Sequence, residues 1–253
     1  MPRTVHVGCC GWSYMHEHDF ADLYSHPHES KLQAYAELFD VVEINSTFYR
    51  LPRASTAEKW RAQADAINTR FEFTVKAYQG ITHRYRFRGR ESHEFFEQLK
   101  ALCSTLKATI LLFQTPASFG PTQVNIGAMQ KFFEPLDRAN ITCVWEPRGQ
   151  WYENPAHIAE VCEACNLLQC VDPFRNDLVL TQPLAYYRLH GFGKPSMYRY
   201  DFSEAELQEL SARIASLPRA TKHVYVFFNN VECYKNAWGF LEIVRSKRRS
   251  RGR

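Results

Sequence analysis

Eight short runs rich in β-branched and aromatic residues recur along the chain, at 4–10, 41–46, 71–77, 109–114, 141–146, 168–172, 185–190 and 222–228. Their starts lie about 30 residues apart on average, the length of a strand plus a crossover helix. Most intervals carry helical periodicity. Leu32, Tyr35, Leu38 and Phe39 fall on one helical face, as do Phe95, Phe96, Leu99, Leu102 and Leu106; such spacing buries one stripe of a helix against a sheet. Ser55 with Glu58, and Ser203 with Glu206, have the spacing of capping boxes that open helices. Strand and helix alternating eight times predict an α/β fold, a closed parallel (β/α)8 barrel of the TIM type. Between 172 and 185 there is room only for a loop, and Pro173 and Pro183 oppose a long helix there. The sixth helix is therefore expected to be short or missing. No low-complexity linker breaks the pattern, which predicts one domain over residues 1–244.

Polar residues gather at the C-terminal ends of these runs. Glu43 and Asn45 close the second, Lys76 the third, Gln114 the fourth, Glu146 with Arg148 the fifth, Asp172 the sixth, Arg188 with His190 the seventh, and Asn229 with Asn230 the eighth. Side chains alternate across a strand, so Phe71, Phe73 and Val75 share one face and Thr74 and Lys76 the other. In a parallel barrel the C-terminal ends of the strands build the active site. The pattern therefore predicts a polar mouth, or alternatively a buried ion-pair network that only plugs the barrel.

Charge adds one feature. The net charge of +4 comes from residues 245–253, where Arg245, Lys247, Arg248, Arg249, Arg251 and Arg253 stand without an acid; the other 25 basic residues face 27 acidic ones. The body is near neutral, and this basic tail, expected to be disordered and solvated, is where attraction to nucleic acid would concentrate. The opening MPRTVHVG lacks the apolar core of a signal peptide and no apolar run is long enough to span a bilayer, so a cytoplasmic protein without a membrane partner is expected. Eight cysteines in apolar surroundings are expected as reduced core thiols. Cys162, Cys165 and Cys170 have a spacing near that of zinc or iron–sulfur ligands, with core packing the favoured reading. The stretch holding His16, Glu17, His18, His26 and His28 reads as a solvated loop.

A family resemblance rests on Gly8–Cys9–Cys10–Gly11–Trp12–Ser13–Tyr14, on Val42 to Arg50, on Thr82–His83 after Lys76, and on Phe113–Gln114–Thr115–Pro116. It continues through Glu146–Pro147–Arg148 with Trp151, Asp172–Pro173, Tyr187–Arg188–Leu189–His190–Gly191 and Phe228–Asn229–Asn230. In these the chain resembles the domain of unknown function 72 family, the YecE-like proteins. That resemblance implies a TIM barrel and brings no reaction with it. Cys10 stands where the family more often has Ser, and Pro147 where another apolar residue is usual.

The chemistry must then come from the mouth. Glu43, Glu146 and Asp172 against Lys76, Arg148 and Arg188 sum to zero, which disfavours a cluster of divalent metals because such a cluster needs excess carboxylate. No cofactor is expected. Arginines suit phosphate or carboxylate, and Trp12, Tyr14 and Tyr49 suit a flat ring or sugar. The expected function is an enzyme, with a hydrolase of a phosphate ester or related bond favoured over a lyase or isomerase, acting on a small anionic or nucleotide-like substrate; a ligand-binding barrel without turnover is the other reading of the same groups. Glu43, Glu146, His190 and Asp172 are the candidate acid–base groups; Lys76, Arg148, Arg188, Asn45, His83, Gln114 and Asn229 are the candidate binding groups. The alternative is a nucleic-acid-binding barrel or metal-dependent phosphodiesterase, and a structural reading pairs Glu43 with Arg148 or Glu146 with Arg188. The oligomeric state is left open.

Overall fold

The structure, a computed structural model, describes residues 3–25 and 27–251. Eight parallel strands, β1 (Thr4–Cys9), β2 (Val41–Ile44), β3 (Glu72–Lys76), β4 (Ile110–Gln114), β5 (Thr142–Glu146), β6 (Leu168–Val171), β7 (Leu184–Leu189) and β8 (His223–Phe228), form one sheet in the order β1-β8-β7-β6-β5-β4-β3-β2. Helices α1 (Lys31–Leu38), α2 (Ala54–Asp65), α3 (Gly89–Leu106), α4 (Gln123–Phe133), α5 (Pro155–Ala164), α6 (Glu204–Ser216) and α7 (Cys233–Arg251) surround it. The (β/α)8 expectation holds, including the missing helix between β6 and β7. There the amide of Gln182 replaces helix packing: its Oε1 accepts from Gln169 N–H at 2.9 Å, and its Nε2 donates to the carbonyls of Gln169 at 2.9 Å and Leu184 at 2.7 Å.

Strand alternation divides the apolar residues into two bodies. Val42, Ile44, Phe73, Leu111, Phe113 and Trp145 face outward and pack under the helices. Val41, Ile110, Leu112, Val144, Cys170, Tyr186, Tyr225 and Phe227 fill the barrel's interior. The interior residues sit two positions before, or between, the polar strand ends, so that an apolar plug supports a polar layer above it.

Among the described residues the ladder is open between β1 and β2, and the Tyr35 hydroxyl bridges the seam. Tyr35 of α1, fully buried, accepts from the N–H of Cys9 at 2.8 Å and donates to the carbonyl of Val41 at 2.9 Å. Gly8 permits the approach: a Cβ there would lie 2.1 Å from the Val41 oxygen.

Two local expectations change. Ser203 and Glu206 form the expected capping box on α6, but α2 begins at Ala54 after an extended Arg53, which places Ser55 inside the first turn with no capping bond. The basic stretch expected to be disordered continues α7 as helix to Arg251. Lys and Arg are good helix formers, and positive charge favours a helix C-terminus. Residues 252 and 253 of that stretch, and His26, lie outside the described residues.

Tyr35→Phe leaves a buried N–H and a buried C=O without their shared partner. Equilibrium denaturant unfolding should show a loss of about 2 kcal/mol or more, whereas Tyr35→Phe with wild-type stability would remove the hydroxyl's role at the seam.

Candidate functional site

The polar layer is organised by Arg188, which projects inward from β7 and is fully buried. Its Nε and one terminal nitrogen hold the Glu43 carboxylate of β2 at 3.0 and 2.9 Å, and its other terminal nitrogen holds Glu146 of β5 at 2.7 Å. Tyr186, two residues earlier on the same face, donates to Glu43 at 2.9 Å. Arg148 grips the second oxygen of Glu146 from above, at 3.0 and 2.8 Å; its side chain keeps 26% exposure. Gly149, at φ +68°, turns the chain immediately after it. Burial alone would raise the Glu146 carboxyl, but Arg188, Arg148, His190 and Lys76 together hold it well below its ordinary value.

Asp172 stands apart from this pair. Its Oδ2 lies 3.3 Å from His190 Nδ1 and accepts the His190 backbone N–H at 3.1 Å, while Arg175 approaches to 3.5 Å. Arg148 donates to His190 Nε2 at 3.2 Å. An accepting Nε2 assigns the ring proton to Nδ1, facing Asp172. The dyad is an oriented imidazole whose outer nitrogen is covered by Arg148.

Lys76 has neither an ion pair nor a hydrogen bond from its amine among the described residues. Its Nζ rests over the Phe48 ring, 4.2 Å from the centroid. The turn Ser46–Phe48 after β2 makes this arrangement, because the single hydroxyl proton of Thr47 is shared between the Ile44 carbonyl of β2 at 2.7 Å and the Lys76 carbonyl of β3 at 2.6 Å. Burial, then the charge of Arg188, against the opposing pull of Glu43 and Glu146, brings the Lys76 amine down to about 8. His83, in the turn after β3, packs edge-on to the same Phe48 ring at 4.9 Å. Burial lowers its imidazole, and so do Lys76, Arg148 and Arg86.

The expected neutral sum is therefore not how the charges are distributed. Glu43 and Glu146 are satisfied by Arg188 and Arg148, Asp172 by His190 and Arg175, and the positive charge of Lys76 is left over, with Arg86 adding to the field. The pairing of Glu146 with Arg188 is present; Glu43 pairs with Arg188 and not with Arg148.

Of the other expected residues, Gln114 ends β4 on the interior face and is buried. Asn45, Asn229 and Tyr14 line a cleft of about 810 Å³ floored by Cys10, whose sulfur lies 3.6 Å from Arg188. The side-chain oxygen of Asn45 is buried without a hydrogen-bond partner among the described residues. Tyr14 and Tyr49 are exposed rim residues, at 86% and 65%. Trp12 is not brought into this group: its ring packs edge-on to Trp60 of α2, 5.2 Å away, and against outward-facing Phe73. Tyr186, Arg86 and Arg175 are not among the residues the sequence points to, and Phe48 enters there only within the motif from Val42 to Arg50; alternation back from Arg188 leads to Tyr186.

Cys162 and Cys165 sit in the outer core, and Cys170 faces the barrel interior on the other side of the sheet. His16 lines the cleft, His18 is exposed, and His28, far from solvated, is buried against Glu37 at 2.6 Å. Among the described residues no three His, Cys, Asp or Glu side chains converge as a metal-holding group, and no helix is long and apolar enough to cross a membrane.

Arg188→Leu strands two buried carboxylates and should cost about 3–5 kcal/mol at neutral pH in denaturant unfolding; a cost under 1 kcal/mol would contradict the network. For the wild type, the folded Glu146 carboxyl titrates below its unfolded counterpart, so the unfolded chain takes up that proton first. Its contribution to stability is complete above the ordinary value of 4.5 and declines as pH falls below it. A stability that did not fall between pH 5 and about 2 would contradict this.

Comparison with known proteins bears on the fold and its ancestry. The chain is similar to the UPF0759 protein YunF of Bacillus subtilis, 26% identical over an alignment of 261 positions, gaps included, that covers 89% of this chain and 88% of that one. Solved structures of DUF72 family proteins superpose on it: one from Thermotoga maritima with a TM-score of 0.75 at 25% identity, covering 96% of this chain and 99% of that one, and one from Enterococcus faecalis with a TM-score of 0.73 at 21% identity, covering 96% of each. The family model described as "Protein of unknown function DUF72" matches residues 6–251. With nearly the whole barrel matched, the chain belongs to the DUF72 family.

Proposed function

We propose that the mouth of the barrel binds a small anionic molecule, bearing a phosphate or carboxylate, and acts on it by general acid–base chemistry. The observation that carries this reading is the buried ammonium of Lys76, without an ion-pair partner among the described residues and set in a layer whose carboxylates are already claimed by arginines. A positive charge held in low dielectric without a counter-ion is attracted strongly to an incoming anion. Arg148 is the second contact. It is partly exposed, and its guanidinium can turn one edge to a ligand while keeping Glu146 on the other.

An anion that draws Arg148 outward also uncovers His190 Nε2, leaving an imidazole oriented by Asp172 as the general base. His83 is placed to exchange a proton on the Lys76 side. Glu43 and Glu146 then serve as positioning residues. Their oxygens are filled by guanidinium and phenol donors, and Glu146 is too weak a base for proton abstraction. Hydrolysis of a phosphate ester or related bond fits this set of groups.

Sulfate, whose charge is constant between pH 6 and 10, isolates the protein's titration. Calorimetry should show sulfate affinity falling as pH rises through about 8, the value at which the Lys76 amine loses its proton. Lys76→Met should bind sulfate about tenfold more weakly at pH 7, about 1.4 kcal/mol, and lose the pH step. Sulfate binding that is equal in wild type and Lys76→Met would overturn the proposal.

A further inference from the structure

We infer that Lys76 is a covalent catalytic residue, a nucleophile that forms an imine with a substrate carrying both a carbonyl and an anionic group. This rests on the anion-binding reading of the same mouth and goes beyond it, assigning carbonyl chemistry there in place of phosphate-ester hydrolysis. Three features of the geometry support it. The amine ends a barrel strand at the C-terminal face, where reacting groups of this architecture lie. It is buried to 5% exposure yet makes no hydrogen bond or ion pair among the described residues, so its lone pair is not tied up once the proton leaves. It stands on the face of Phe48, an apolar support that desolvates the amine without competing for it.

The charged and titratable groups around it come from five elements: Glu43 on β2, Arg188 on β7, Glu146 on β5, Cys10 after β1, and His83 in the turn after β3. The two carboxylates are bound to Arg188, and Glu146 to Arg148 as well, so neither ties the amine as an ion-pair partner. Burial and Arg188 bring the amine to about 8, which leaves about one amine in ten neutral at pH 7, some two orders of magnitude more than for an ordinary lysine.

In the step itself, the neutral amine's electron pair adds to the carbonyl carbon while the C=O π pair moves to oxygen. That oxygen takes a proton from solvent relayed by His83, and a proton lost from nitrogen completes the carbinolamine. Protonation of its hydroxyl and departure of water leave a protonated imine. The balance is amine plus carbonyl plus one proton giving iminium plus water, with no oxidant or metal required. The iminium then draws electrons from the adjacent carbon, and His190 is the base available to take a proton there.

The test uses the full-length wild-type protein with glyoxylate, an aldehyde bearing a carboxylate, and sodium cyanoborohydride, whose hydride adds to the iminium carbon to leave a stable secondary amine. Peptide mass spectrometry then gives the labelling rate of each lysine at pH 7. Lys76 should label at least about tenfold faster than any other lysine, sulfate should suppress that labelling, and the Lys76 rate should rise to a plateau above pH 8. Labelling of Lys76 no faster than that of surface lysines overturns the inference. If sulfate still binds with the pH step at about 8, the anion site stands and the imine alone fails; if sulfate does not bind, both fail. The measurement is made on unaltered protein, so it does not depend on any variant folding.

Discussion

A guanidinium locked between two carboxylates at the centre of the barrel is the interaction on which the rest of the structure depends. Arg188 comes from β7, Glu43 from β2 and Glu146 from β5, and all three are buried. Ions in that position are stable only when their bonding capacity is filled, since an unpaired buried charge costs several kcal/mol. Filling it requires the three strands to sit at fixed heights around the circle, so the layer acts as a register pin for a barrel whose β1–β2 seam shows no ladder among the described residues. Below it, Tyr186 joins the ion pair to Thr74 at 2.9 Å, where the apolar plug begins.

The same pairing sets the electrostatics of the mouth. Because Arg188 and Arg148 absorb both glutamates, and Arg175 and His190 absorb Asp172, the carboxylates that would ordinarily neutralise Lys76 are already engaged. What remains is a desolvated amine, an imidazole lowered by burial and by its cationic neighbours, and an arginine at the solvent edge. Each disfavours the others' positive charge, and an anion relieves all of them at once. Stability and ligand affinity thus come from one arrangement, in which the buried layer supplies the scaffold and its surplus charge the recognition.

Much of this was legible in the sequence because it follows from period-2 alternation. Glu43, Lys76, Arg188 and His190 interrupt apolar strands near their ends, and a parallel barrel sends such residues to one face. What the chain could not express locally was partnership. Glu43 and Arg188 are 145 residues apart, and only closure of the barrel decides that Glu43 meets Arg188 while Arg148 takes Glu146. The charge count failed for a related reason: Arg175 lies in a loop and carries no strand signal, yet it neutralises Asp172 and tips the balance. Trp12 was misplaced because a residue just past a strand end can turn to either side, and here it finds Trp60 under the helices. The basic stretch gave a composition signal for a disordered end, whereas its backbone continues α7 as helix to Arg251.

Recognition at the mouth turns on Lys76, a desolvated cation with no ion-pair partner among the described residues. An NMR titration of the ¹³Cε-labelled Lys76 side chain, with and without sulfate, measures this directly. The midpoint is expected at about 8 in the free protein and should move upward when sulfate binds. A midpoint near the ordinary lysine value of 10.5, unmoved by sulfate, would contradict it.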